Sequence, residues 1–288
     1  MSLGFWLLQS LNALALGGLL FLLSSGFSLI FGLMRVANLS HGAYFMLGAY
    51  IGLSILRAGY GFIEAVLAAG IAIAFLGFFV ERYLLRRLAN RTLAQVLVTL
   101  GLAFAIADIC LMLWSGDPMQ LPAPRWLSAP YRVFGFVFPG YRVFVVEVSL
   151  VIAILLWLLI EKTKIGAMVR ASVDDIQMAR GVGIPAQALF SFIFCLGAAL
   201  AGMGGVLGGP ILSVYPGLDG EMLPLALVVV ILGGIGSIGG AFVGSYITGL
   251  VYTFGQALLP AFSYVILFLP MIIILAVRPS GLFGKSAP

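Results

Sequence analysis

Charge is scarce in this 288-residue chain: Asp, Glu, Lys and Arg make up 9% of it, hydrophobic residues 62%, and the mean hydropathy is +1.19. Soluble globular domains carry about 25% charged residues, so a water-soluble globule is excluded. Histidine is almost absent too. The one histidine, His41, has no carboxylate or cysteine near it in sequence, and no metal-ligand spacing occurs anywhere. Neither a metal centre nor an acid–base pair of an intramembrane enzyme is expected. The two cysteines, Cys110 and Cys195, both lie inside apolar stretches and read as small buried hydrophobes rather than a disulfide. The N-terminus lacks the basic flank of a cleavable signal peptide and its apolar run continues past residue 30, so it reads as a first membrane segment.

What is abundant is long apolar sequence. Segments at about 11–33, 37–56, 62–81, 92–115, 142–160, 187–209, 222–238, 240–258 and 262–277 are continuous, not alternating, which predicts helices rather than barrel strands. The fold class expected is all-α: one polytopic transmembrane bundle of eight or nine membrane segments spanning 1–288. Segments 37–56 and 222–238 are marginal, interrupted by glycine and polar residues, and either fits a broken or re-entrant helix lining a cavity. Thirty-seven glycines suit closely packed membrane helices.

Basic residues orient the scheme. Arg82, Arg86, Arg87 and Arg91 crowd one loop, Lys162, Lys164, Arg170 and Arg180 a second at about 161–186, and Arg278 and Lys285 the tail, so these three read as cytoplasmic. The connection at about 116–141, rich in proline and aromatics with dispersed Arg125 and Arg132, reads as external. Nine crossings with an external N-terminus satisfy this pattern, and eight, with one marginal segment re-entrant, move the N-terminus to the other side.

The second basic loop carries a short amphipathic segment, Lys162 to Ile184, the part of the chain best suited to a soluble partner. Ile165, Val169, Val173 and Ile176 recur at helical spacing, with Arg170 and Asp174 one turn apart on another face. Such a helix would lie along the bilayer surface.

Asn38, Ser40, His41 and Gly42 open the segment VANLSHGAYFMLGAY, Val36 to Tyr50. Two uses fit them: an N-cap by Asn38 or Ser40, and a polar lining for a passage at a broken helix. Asp108 lies sixteen residues into its segment, and Glu147 enters the next at similar depth. They fit hydrated carboxylates near the outer interface and a polar cavity lining equally well. In Val228 to Gly249 the glycines at 233, 234, 236, 239, 240, 244 and 249 include the pairs Gly233–Gly234 and Gly239–Gly240, which weaken a helix by about 1 kcal/mol per residue and predict a break or hinge. GIGSIG from Gly234 to Gly239 matches a dinucleotide-binding pattern, but membrane sequence lies on both sides where a soluble βαβ unit is needed. GKS at Gly284 to Ser286 has Pro279 at the first glycine position of a phosphate loop and no helix to follow.

Four strings in order, FGLMRVANLSHGAYFMLGAY, TKIGAMVRASVDDIQMARGVGI, LGGIGSIGGAFVG and VRPSGLFG, resemble the motifs of the membrane permease subunits of ABC importers for branched-chain amino acids, over about residues 10 to 284. The resemblance implies a permease that binds no ATP and holds no cofactor itself. It implies two cytoplasmic ATPase subunits docking on a coupling helix between Gly166 and Gly183, with Arg170, Ala171, Asp174, Ala179 and Gly183 at the family's motif positions. It further implies a periplasmic binding protein that delivers the amino acid, a second permease chain, related or identical, and a multi-pass location in the bacterial inner membrane. Ala167 departs from the arginine common in the family after Gly166. Permeases of this family also serve urea and short amides. Outside it, an ion- or proton-coupled carrier using Asp108 and Glu147, and a membrane scaffold without transport, are the other classes consistent with the composition.

Overall fold

The computed structural model describes residues 3–34, 38–89, 91–127, 129–133 and 136–284; Val36, Lys285 and Ser286, named above, lie outside them. The chain is a helical bundle. In order the helices are α1 (Leu3–Met34), α2 (His41–Arg57), α3 (Phe62–Phe79), α4 (Thr92–Trp114), α5 (Gly140–Lys162), α6 (Lys164–Asp174), α7 (Ile176–Gly181), α8 (Ala186–Gly208), α9 (Leu218–Gly233), α10 (Ile238–Leu258) and α11 (Ser263–Val277). α3 runs on through a wider π turn, Val80–Leu85, and a tight turn, Arg86–Leu88. A small antiparallel hairpin, β1 (Tyr131–Val133) with β2 (Phe136–Phe138), lies between α4 and α5.

Among the described residues six helices are long and apolar enough to cross a membrane: α1, α3 with its extension, α4, α5, α8 and α10. The two segments that read as marginal are indeed the short ones, α2 with 17 residues and α9 with 16, and α11 has 15. The central helix is α1. Of its most apolar stretch 89% is buried within this chain, against 22% in α4 and in α5, so α4 and α5 turn their apolar side chains outward to lipid or to another subunit.

Glycine sets the closest approaches in the centre. Gly48 of α2 faces the Gly202 carbonyl of α8, and Gly26 of α1 lies against Gly197, where a side chain would meet the Gly197 carbonyl oxygen at 2.6 Å. Small residues here replace the hydrophobic drive that lipid removes: backbones touch, and dispersion holds them.

The two ends of the bundle differ in charge. Arg86 reaches Ser191 at the start of α8, Gln95 near the start of α4 reaches back to the Leu85 carbonyl, and Arg170 bonds the Ile160 carbonyl at the end of α5. One end therefore gathers Arg82, Arg86, Arg87, Arg91, Lys162, Lys164, Arg170, Arg180 and Arg278. At the other end Trp114 donates to Ser54 at 2.8 Å, Tyr141 donates to the Leu207 carbonyl at 2.6 Å, and Met119 pairs with Val214. The N-terminus of α1 lies at this less basic end.

The basic loop is not the single amphipathic helix that its pattern predicts. α6 stops at Asp174 and Asp175 starts α7, its Oδ1 accepting from the N–H groups of Gln177 (2.8 Å) and Met178 (3.0 Å). The buried face also differs: Gly166, Val169, Ser172 and Ala179 are covered, whereas Val173 is exposed. Gly166 abuts the Ile160 backbone, which rotates α6 away from the periodicity of the aliphatic residues.

Candidate functional site

Two short helices begin inside the bundle and nearly face one another. Before α2, the chain turns through Asn38 and Ser40. Asn38 Oδ1 accepts from the Ser40 N–H at 3.2 Å and its hydroxyl at 2.6 Å, and Thr99 of α4 accepts from the Leu39 N–H at 3.2 Å. Ser40 does not cap α2 with its side chain, contrary to one of the two uses expected of it, because its hydroxyl is committed to Asn38. His41, the first residue of α2, donates from Nε2 to the Leu23 carbonyl of α1 at 2.9 Å. A carbonyl only accepts, so Nε2 carries the proton and Nδ1 is an acceptor. Leu23 lies eleven residues before the end of α1, so α2 starts about 16 Å short of the basic end.

Opposite, Gly217 (φ +111°) precedes α9, and Asp219 stands in its first turn. Gly42 joins the two helices: a side chain there would meet the Asp219 carbonyl at 2.7 Å and Leu223 at 3.0 Å. The Asp219 carboxylate faces the backbone N–H groups of Gly217 and Gly220, is half-buried, and lies close enough to Cys110 of α4 to interact with its thiol electrostatically. Gly217, Gly220 and Glu221 on the same turn are exposed.

Buried polar groups gather at this junction, the Tyr44 hydroxyl beside Asn38 and Ser40 among them. Ser24 Oγ, Asn38 Nδ2 and His41 Nδ1 are fully buried without a hydrogen-bond partner. Leaving a buried donor or acceptor unsatisfied costs about 1–3 kcal/mol each, so such groups favour a polar partner or water. Phe27 and Tyr44 close it, their rings 5.5 and 6.1 Å from His41.

The structure therefore brings together Asn38, Ser40, His41 and Gly42, and adds Thr99 and Asp219, which the sequence did not single out. Asp108 is elsewhere. It is exposed on α4 while Cys110, two residues on, is buried toward the core, and Glu147 is likewise exposed on α5.

The glycine stretch forms a turn between two helices. α9 ends at Gly233, Gly234 and Gly236 take φ +99° and +80°, and Ser237 caps α10 by accepting from the Gly240 N–H at 3.0 Å. Gly233 and Gly240 touch backbone to backbone, Gly236 packs on Gly32 of α1 and donates to Ser28 at 3.2 Å, and Gly239 faces open space. The tail closes the end of α9, with Leu282 and Phe283 donating to the Leu232 and Gly233 carbonyls at 2.9 and 3.0 Å.

Between this turn, the end of α1, the tail and α6 lies a cavity of about 600 Å³ lined by Gly236, Ser237, Val169, Arg170 and Asp174 among others. Arg170 bonds the Ile160 carbonyl and pairs with Glu161 at 3.5 Å, which ties α6 to the end of α5. Ala171, Asp174 and Gly183 are exposed, with Met178 (66%) and Val182 (70%) as apolar side chains beside them. Gly183 takes φ +85° after α7.

Comparison with known proteins bears on these features. Residues 9–275 match the family described as "Branched-chain amino acid transport system / permease component". LivH of Salmonella typhimurium, a high-affinity branched-chain amino acid transport system permease protein, is 27% identical over 98% of this chain and 96% of its own. BraD of Pseudomonas aeruginosa, of the same description, is 26% identical over 97% and 96%. The autoinducer 2 import system permease protein LsrC of Escherichia coli is 30% identical over 77% of this chain and 63% of its own. No solved structure matches. The chain is a multi-pass membrane protein and belongs to the branched-chain amino acid transport system permease component family.

Proposed function

We propose that the chain forms the translocation pathway for branched-chain or closely related amino acids as the permease subunit of an ATP-driven importer in the bacterial inner membrane. The observation that carries this reading is the junction of α2 and α9, where Gly42 packs on the Asp219 backbone and Asn38 Nδ2 and His41 Nδ1 lie buried without a hydrogen-bond partner at the start of α2. Broken helices near the midplane are how membrane transporters offer backbone and side-chain polarity to a polar guest. An amino acid carries both charges. Asp219 suits its ammonium, and the Asn38 amide suits its carboxylate.

In this reading the basic end is cytoplasmic and the chain crosses nine times, α2 and α9 each covering part of a crossing. α6 and α7 together are the coupling element. Gly166 lets α6 sit against α5, Arg170 ties it there, Ala179 is the buried residue that seats α7, and Ala171, Asp174 and Gly183 belong to the surface and turn on which a separate ATPase docks. Met178 and Val182 are large apolar side chains outside the membrane-crossing helices, as a protein partner would need. ATP is bound by that partner. Two ATPases, a second permease chain and a substrate-binding protein complete the importer, and the Gly233–Gly240 turn is the place where helix movement on one side reaches α1 and the tail.

The test is uptake by proteoliposomes holding the complete importer, with ATP inside and leucine, isoleucine, valine and urea offered separately. Leucine-type substrates should enter only with ATP, and Asp219→Asn should cut their uptake by about tenfold or more while the complex still assembles; a buried charged contact is worth at least that much. Uptake driven by an ion gradient without ATP would refute the importer reading.

A further inference from the structure

A second concavity opens at the basic end, between the end of α3 and the start of α8. It measures about 610 Å³ and is lined by Phe78, Arg82, Arg86, Arg180, Gln187 and Ser191. Three guanidiniums from three different elements converge there: Arg82 from the π turn, Arg86 from the turn after it and Arg180 from the end of α7. One carboxylate answers them. Glu81 is buried, accepts from Arg86 at 3.1 Å and from the Ser191 hydroxyl at 2.7 Å, and so serves to position Arg86. Arg82 leans over the Phe78 ring at 5.9 Å. Three positive charges against one negative leave the hollow with an excess of positive charge. It opens beside the start of α8, where the helix dipole adds to the attraction for an anion.

What lies next to the hollow narrows the choice of anion. Tyr83 (47% exposed), Phe79 (40%), Phe75 (64%) and Ile71 (71%) follow one another at four-residue spacing and form a bare apolar stripe along α3 that starts at the basic residues. A free phosphate or an acidic peptide has no use for that stripe. A molecule with an anionic head and hydrocarbon tails uses both parts, and basic pockets at the ends of membrane helices fit such lipids.

We propose that this hollow is a binding site for the phosphate headgroup of an anionic phospholipid, with its acyl chains laid along the exposed stripe of α3. Because Arg180 belongs to the element after α6 and Arg82 and Arg86 to the end of α3, an occupied site bridges the loop and the bundle. The site is separate from the α2–α9 junction and does not depend on which solute is carried.

The test uses the full-length protein with the subunits that accompany it, delipidated in mild detergent and titrated with phosphatidylglycerol, phosphatidylcholine or inorganic phosphate under native mass spectrometry. Arg82→Gln with Arg180→Gln spares the structural Arg86–Glu81 pair; Arg87→Gln with Arg91→Gln removes equal charge outside the hollow. Wild type should prefer phosphatidylglycerol over phosphatidylcholine, and the first pair should weaken phosphatidylglycerol binding about thirtyfold, taking the contribution of each arginine near a membrane surface. The control pair should bind like wild type. Equal binding of both lipids, equal loss in the control pair, or displacement of the lipid by millimolar phosphate overturns the proposal.

Discussion

At the scale of single residues, Glu81 is the most exacting position outside the junction. Its side chain is 3% exposed, and its charge is tolerated because Arg86 and Ser191 hold it. Removing one partner of a buried ion pair costs about 3–5 kcal/mol, whereas replacing both with apolar groups is close to neutral. Arg86→Met should therefore lower the thermal stability of the purified protein sharply, and adding Glu81→Leu should restore most of it; melts followed by size-exclusion recovery check both. Asn38, Ser40 and His41 stood out because polar types interrupt an apolar run. Asp219 did not, because it follows a stretch that reads as a loop and adjoins the exposed Glu221. Asp108 drew the eye by its depth in sequence, yet successive positions on a helix point about 100° apart, and the phase that buries Cys110 turns Asp108 outward.

At the scale of elements, the loop between α5 and α8 shows how a cap overrides periodicity. Aliphatic spacing over residues 162–184 fits one helix, but Asp175 can satisfy two free N–H groups only by starting a new one. Asp175→Ala should cost about 1 kcal/mol locally, a usual value for an N-cap. The helix after it would fray, and less ATPase should co-purify with the permease while the transmembrane bundle keeps its melting temperature. Unchanged ATPase recovery would mean that α7 plays no part in docking. The α9–α10 turn was foreseeable in outline, since paired glycines weaken a helix. Which of them bend the chain was not: Gly234 and Gly236 adopt positive φ, and Gly233 and Gly240 serve close packing.

At the scale of the whole molecule, charge sorts the two ends and predicts orientation. With Cys110 and Cys195 replaced by alanine, a cysteine at Arg87 or Met178 should react with a membrane-impermeant thiol reagent only from inside the cell, and one at Asp117 only from outside. The opposite pattern would invert the topology proposed for the chain. The outward apolar faces of α4 and α5 are uncovered within this chain, and the six long helices supply the span.

Class, helical architecture and family were determined by the sequence itself, since composition, apolar length and ordered motifs are properties of the chain alone. Even the two weak segments were visible, because glycine and polar residues shorten an apolar run whatever surrounds it. Only the tertiary structure decided where those short helices begin in depth, that their starts meet at Gly42 and Asp219, and that Asp108 and Glu147 are exposed. The reason is physical. Helix phase and close approach are fixed by backbone contacts between elements far apart in sequence, Gly48 with Gly202 and Gly32 with Gly236, and a linear pattern does not record which glycine meets which.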